Sequence, residues 1–222
     1  MSAQGITMES WLAQLQTGTC ATDFDTREIP PEILERILEV GCYAALPWNL
    51  QPWQFVVITS PASRQKLLRN CFDPGPAATA PVLLIALGDL RAWKRAPARL
   101  SEMVSSSSLA PGSEAGHLHR IRQQWSNEET ARLLAIAQTH AALQQVRLVA
   151  LACGLASWWT GEFDAAGIAR DFHIPDSLLV VAVLGLGYCA HRAFLPRTSL
   201  ARTVFAEAYG LPWYRAAKEK AP

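Results

Sequence analysis

The chain reads as an α+β fold in which many helices surround few strands. Three segments, "QFVVITS", "PVLLIALGD" and "SLLVVAVLGLGY", are nearly continuous in apolar and β-branched residues, the mark of strands buried on both faces. Long stretches between them repeat apolar residues every three or four positions, the period of an amphipathic helix. The resulting order is helix, helix, strand, helix, strand, long helices, strand, tail. That is not the regular βαβ alternation of a doubly wound sheet.

Each element has its own warrant. Residues 7–16 place Trp11, Leu12 and Leu15 on one helical face. "QTGTCATDFDT" breaks that period with small and polar residues. "IPPEILERILEVGCYAA" restarts it, with Pro31 suited to a first helical position and Ile33, Leu34, Ile37, Leu38 and Cys42 along one stripe. Pro47 ends the pattern, and "QFVVITS" follows as the first strand. Ser60-Pro61 is a cap followed by a first-turn proline, so "ASRQKLLRN" is a helix. "FDPGPAATA" is a loop, and "PVLLIALGD" is a second strand. "SEMVSSSSLAPGSEAG" is polar and low in complexity, and predicts a mobile loop within an insertion at about 91–125. Ser126 and Glu129 have capping-box spacing and start a long helix that runs to Gly154. "LASWWTGEFD" follows, then a short helix over "AAGIARDFH" and the third strand after Pro175. The tail from His191 is half extended, then helical.

Length and composition narrow the function. The 222 residues suit one domain, 1–222. Half the residues are hydrophobic, and 20 Lys+Arg against 19 Asp+Glu leave a net charge of +1, which offers nucleic acid or an anionic membrane no electrostatic footprint. The five cysteines are scattered and odd in number, with no CxxC. No secretory signal is visible at the N-terminus, and the most apolar run is too short to span a bilayer, so reduced thiols and a cytoplasmic location are expected. Eight tryptophans suggest a planar ligand pocket, a large interface or a big core.

Familiar catalytic patterns are missing. "GLGY" at 185–188 lacks the third glycine of a dinucleotide fingerprint, and no P-loop or nucleophile elbow occurs. His117 and His119, two apart, point to different sides of a helix, so no metal ligand set emerges. What remains is "PWNLQPWQF" between a helix and a strand, "GLASWWTGEFD" after the long helix, and "FLPRTSLARTVF" after the last strand.

These segments, taken in order, resemble the nitroreductase family of flavin mononucleotide (FMN) enzymes. The resemblance rests on Asn49-Leu50-Gln51-Pro52-Trp53 ahead of a strand, Gly154 and the Phe163-Asp164 segment, and "IPDSLLVVAVLGLGY". It runs, with interruptions, from about residue 16 to about residue 205. It implies a nitroreductase-like fold with a central, mostly antiparallel sheet flanked by helices, in an intertwined homodimer with FMN between the subunits. It also implies ping-pong chemistry, in which NAD(P)H reduces the flavin and a nitro compound, quinone or related acceptor takes the electrons. No catalytic side chain is then required, because the cofactor carries the hydride.

For the cofactor site, the resemblance points to Pro47, Trp48, Asn49 and Gln51 in a proline-bracketed turn whose amides reach the polar edge of the ring. It points to the backbone of Trp159, Thr160 and Gly161 along the flavin, where glycine permits close approach. Trp158 reads as core. At the phosphate end the family carries two cations and a serine, where this chain has Gly18, Cys20 and Thr22. A further family serine, just ahead of the Asn turn, is replaced by Leu46 and Pro47. Arg197 stands at the position of a C-terminal phosphate-binding cation, and Ser199 replaces the second. Three readings follow. Thr17, Thr19 and Thr22 with peptide N–H groups, Cys20 among them, and Arg197 hold the phosphate; or Arg27, Arg192 or Arg202 reaches in; or the chain keeps the fold as a non-catalytic homodimer that has lost flavin.

Overall fold

The computed structural model describes residues 7–16, 20–189, 191–193 and 196–213. Six strands form one sheet: β1 (Cys20–Ala21), β2 (Trp53–Ile58), β3 (Val82–Asp89), β4 (Ala156–Thr160), β5 (Leu178–Gly187) and β6 (Arg192–Ala193). Their spatial order is β2-β3-β5-β4-β1-β6. Every pairing is antiparallel except β1 with β4, which is parallel. The helices are α1 (Met8–Gln16), α2 (Pro31–Gly41), α3 (Pro61–Leu68), α4 (Ala96–Ser105), α5 (Glu114–Trp125), α6 (Glu128–Ala152) and α7 (Ala165–Asp171). The α+β class and the mostly antiparallel sheet expected from the sequence are what the chain adopts.

The central strand β3 is buried along all of its length. Its side chains alternate between two cores, as the two-residue period of a strand requires. Val82, Leu84 and Ala86 join Ile37 of α2 and Leu143, Val146 and Ala150 of α6 on one face. Leu83, Ile85 and Leu87 join Leu67 of α3 and Ile168 of α7 on the other. Both layers are therefore obligatory, since each fully buried aliphatic side chain contributes about 1.5–3 kcal/mol. Helices α2 and α6 approach closely at Gly41, where a Cβ would lie 2.4 Å from Val146 Cγ2.

The local signals that formed elements are visible in the structure. Pro31 opens α2. Ser60 caps α3 by accepting from the Ser63 N–H. Gly154, at φ +81°, takes the left-handed position that ends α6.

Several expectations are corrected. The long helix is capped not by Ser126 but by Asn127, whose Oδ1 accepts from the Thr130 N–H at 2.9 Å. Ser126 instead follows α5 as its C-cap, its hydroxyl donating to the Gln123 carbonyl. The polar stretch 101–116 is not one long loop. Helix α4 runs to Ser105 and α5 begins at Glu114, leaving 106–113 irregular. Composition hid the apolar spacing: Ala92, Ala96, Leu100, Ile121 and Trp125 close a third core with Leu50, Ala131 and Ala135. "ASWWT" forms strand β4, a strand the sequence reading did not assign, and the two-residue strands β1 and β6 are too short to announce themselves. In the tail beyond β6, the described residues form a 3-10 turn, Leu200–Arg202, and an isolated bridge between Phe205 and Pro212, where a helix was expected.

Candidate functional site

The proline-bracketed turn is the most strained backbone in the described chain. Trp48, Asn49 and Gln51 have φ of 55°, 47° and 47°, in the left-handed region that non-glycine residues avoid. Leu50 between them keeps a right-handed φ of −67° and is wholly buried in the third core. It is the peg that holds the turn to the helices behind it. The Asn49 N–H donates to the Leu46 carbonyl at 3.1 Å, and the Asp89 N–H to that of Pro52 at 2.6 Å. The amide side chains of Asn49 and Gln51 are half-buried and make no hydrogen bond to another described residue.

A charged pair braces the turn from outside. Asp89, the last residue of β3, is only 5% exposed. Its Oδ1 accepts from the Arg91 N–H at 2.7 Å and its Oδ2 from Arg95 Nη1 at 2.6 Å. Arg95 Nη2 reaches on to the Gln51 carbonyl at 3.4 Å. Sequence reasoning missed both residues. The available signal was an aspartate ending an otherwise apolar strand, with an arginine six positions on. Beside the turn lies an open groove of ≈ 490 Å³ between α2, β2 and α4, lined by Leu38, Cys42, Gln51, Trp53 and Arg95 among others. Burial pushes the Cys42 thiol up from its ordinary value, against an opposing hydrogen bond with Trp53.

The second group of predicted residues lies at the carboxyl end of β4. The Trp159 ring packs on the α6 side, edge-on to His140 at 5.6 Å and with the Arg147 guanidinium 4.7 Å from its centre. Arg147 Nε also donates to Ser157 Oγ at 3.0 Å. Thr160 Oγ1 accepts from the Glu162 N–H. Above Gly161 the space is open: a Cβ placed there meets nothing within 4 Å. Trp158 faces the opposite core, as expected of a packing residue.

The expected phosphate end sits beside β4. Cys20 of β1 pairs with Ser157 on one side and Ala193 of β6 on the other. The Thr22 hydroxyl lies 3.2 Å from both the His191 carbonyl and Asp23 Oδ1. Arg27 stacks on Tyr188 at 3.5 Å and pairs with Asp25. Arg197 is exposed, with no ion pair among the described residues. Arg202 is exposed in the 3-10 turn, and Arg192 lies in β6. Thr17, Gly18 and Thr19 lie outside the described residues.

The fold brings the predicted residues into two groups, not one. Pro47, Trp48, Asn49 and Gln51 precede β2, whereas Trp159, Thr160 and Cys20 lie in β4 and β1 and Gly161 and Thr22 directly follow them. Strands β3 and β5 intervene, so across the sheet β4 lies three strand spacings, about 14 Å, from β2 in one chain, and β1 one spacing further. β4 runs towards the end of the sheet where Trp53 starts β2 but stops at Thr160, level with Val56, while Cys20 pairs with Ser157 level with Val82, towards the opposite end. Free amides, open space over a glycine and exposed strand-end backbone fit a flat heteroaromatic group with a polar edge. The donor set for its anionic tail is sparse in cations.

Comparison with known proteins decides the lineage. The model of the nitroreductase family matches residues 19–188. The chain belongs to the nitroreductase family. A protein of Thermus thermophilus named NADH dehydrogenase is 29% identical over 168 residues, which cover 75% of this chain and 80% of that one. The fold matches that of a nitroreductase-like protein from Streptococcus mutans, with a TM-score of 0.80 at 20% identity over 90% of this chain and 99% of the other. It also matches a chain from Exiguobacterium sibiricum 255-15 solved in complex with FMN, with a TM-score of 0.75 at 20% identity over 90% and 95% of the two chains. This nitroreductase-family chain is thus an oxidoreductase by descent. Among its described residues no helix is long and apolar enough to cross a membrane.

Proposed function

We propose that the protein is a cytoplasmic, homodimeric, FMN-dependent oxidoreductase that draws on NAD(P)H and reduces nitro compounds, quinones or related acceptors. The observation that carries this reading is the strained turn at Trp48–Gln51, which presents two amides without a partner among the described residues at the mouth of β2. The family match and the FMN complex of a chain with the same fold support it. FMN, when bound, supplies the two-electron chemistry, alternating between nicotinamide and acceptor.

The chain's own residues bind and orient. Asn49 and Gln51 hydrogen-bond the polar ring edge, with Pro47 and Trp48 as a wall. The Trp159–Gly161 backbone runs along the ring, and Gly161 leaves room for it. The Cys20 peptide, Thr22 and Arg197 hold the phosphate, with the Arg197 guanidinium as the charge-assisted donor. The separation of the two groups by three strand spacings or more favours a site shared between two copies. The 91–125 insertion stands behind the turn as part of a single domain, 1–222, and is expected to shape the acceptor pocket.

A mixing experiment tests the whole reading. Asn49→Ala/Gln51→Ala and Arg197→Ala chains are purified separately, then refolded together with FMN. If the site is shared, each mixed dimer carries one undamaged site, and about a quarter of wild-type flavin binding and NAD(P)H-dependent activity returns. No recovery would place both groups in one chain. A colourless wild-type protein that ignores micromolar FMN would sink the enzyme reading. It would leave the alternative that the Gly18, Cys20 and Thr22 replacements favour, a non-catalytic homodimer of the same fold.

A further inference from the structure

We propose that Asp89 and Arg95 are positioning residues: they lock the Gln51 peptide in its left-handed conformation and so aim the Gln51 amide at the bound ring. The proposal rests on the flavin reading above and assigns roles to two residues outside the predicted site.

The geometry is that of a relay from the sheet to the turn. Asp89 ends β3, the most buried strand, and is itself 5% exposed, so its position is fixed by the core. Its two oxygens are each taken, one by the Arg91 N–H and one by Arg95 Nη1. Its own N–H donates to the Pro52 carbonyl at 2.6 Å. The guanidinium then spans from Asp89 Oδ2 to the Gln51 carbonyl. A single aspartate thus reaches the peptides on both sides of Pro52, directly through its backbone and indirectly through Arg95. Residues in sparsely populated backbone regions persist only where their surroundings over-determine them. Leu50 fixes the turn from one side, and this relay fixes it from the other.

A plainer role is available, since Arg95 also precedes α4 and its bond to Asp89 steadies that helix. The two roles differ in what depends on the Gln51 side chain. A helix brace alters FMN affinity by the same factor whether or not Gln51 is present. A positioning relay loses its effect once the amide it aims has been removed.

The experiment is a double-mutant cycle read by FMN titration of the cofactor-free protein, with circular dichroism as a check on folding. Arg95→Met is expected to weaken FMN by about tenfold, the size of one charge-assisted hydrogen bond, and to add little to Gln51→Ala. Arg95→Lys restores charge opposite Asp89 but cannot span both oxygens as a planar fork does. It is expected to fold like the wild type and still bind FMN more weakly, which keeps the test alive if Arg95→Met does not fold. Hydrogen exchange of the flavin-free protein gives an independent readout: amides of residues 48–51 exchange faster in both variants, while those of β3 do not. Equal FMN affinity in wild type and Arg95→Lys, or strict additivity with Gln51→Ala, overturns the positioning role and leaves the flavin reading intact. A wild-type chain that takes up no FMN overturns that reading and this role together.

Discussion

Leu50→Ala tests whether the turn depends on its buried peg. Leu50 is 0% exposed and packs among Trp48, Leu100, Ile121, Trp125, Ala131 and Ala135. Removing its three outer carbons forfeits about 2.4 kcal/mol of transfer free energy at roughly 0.8 kcal/mol per carbon. A residual cavity adds to this, because the neighbours that could close it belong to α4, α5 and α6, each held elsewhere in the same core. The total comes to about 3–4 kcal/mol, within the range of about 2–5 kcal/mol for buried leucine truncations. For a chain of this length that lowers the melting temperature by roughly 6–16 °C, at about 2–4 °C per kcal/mol. The assay is urea unfolding of the flavin-free protein at fixed protein concentration, with hydrogen exchange at 46–53. Exchange there should rise by more than the global loss of stability alone explains, since Trp48 and Asn49 regain freedom once the peg is gone. A cost below about 1 kcal/mol, or turn amides as protected as before, refutes the claim that Leu50 holds the strained turn.

Gly41→Ala places a Cβ 2.4 Å from Val146 Cγ2 and 2.9 Å from Val146 Cα, so α2 must shift off α6, and thermal unfolding should reveal a loss of about 1–3 kcal/mol or more. The Asp171 carboxyl is held below its ordinary 3.8 by the Asn70 hydrogen bond, with Lys66, Arg170 and Arg69 adding to the effect. Its contribution to stability is therefore in place above pH 3.8 and is lost as pH falls through the lower folded value; acid titration of Asp171→Asn should show a shallower fall there. Arg197→Ala should stay folded and lose FMN affinity by about tenfold or more in a fluorescence titration, as expected for a charge-assisted phosphate contact. Retention equal to wild type assigns the phosphate to another group.

The main elements were legible because their signals are local. Continuous β-branched runs mark β2, β3 and β5, Pro31 opens α2, and Ser60-Pro61 opens α3. What was missed is set by distant contacts. Helices α4 and α5 carry low-complexity serine between them, and their apolar residues make sense only against Leu50 and α6. The strand β4 owes its form to pairing with β5, since Trp158 and Trp159 face opposite cores. Of the candidate site, the residue types and the turn could be read. Its strain could not, because the left-handed angles at Trp48, Asn49 and Gln51 depend on Leu50, Asp89 and Arg95, none of which shows its partner in sequence.

The residues chosen for those left-handed positions argue that their side chains have work beyond folding. Three non-glycine residues at positive φ cost about 3–6 kcal/mol, at roughly 1–2 kcal/mol each. Burial of Leu50 returns about 1.5–3 kcal/mol. The bonds to the Leu46, Gln51 and Pro52 carbonyls add about 0.5–1.5 kcal/mol each, so the turn stands near balance. Glycine would occupy any of these positions without strain. Gln51→Gly removes about 1–2 kcal/mol of strain and loses about 0.5–1 kcal/mol to the freer unfolded chain. Urea unfolding should therefore find it as stable as the wild type to within about 1 kcal/mol, while FMN binding weakens as it does in Gln51→Ala. A chain that needed only a tight corner between α2 and β2 would gain nothing from tryptophan, asparagine and glutamine there. If Gln51→Gly proves as unstable as a core truncation, the side chain is structural and the case for its reaching the cofactor fails.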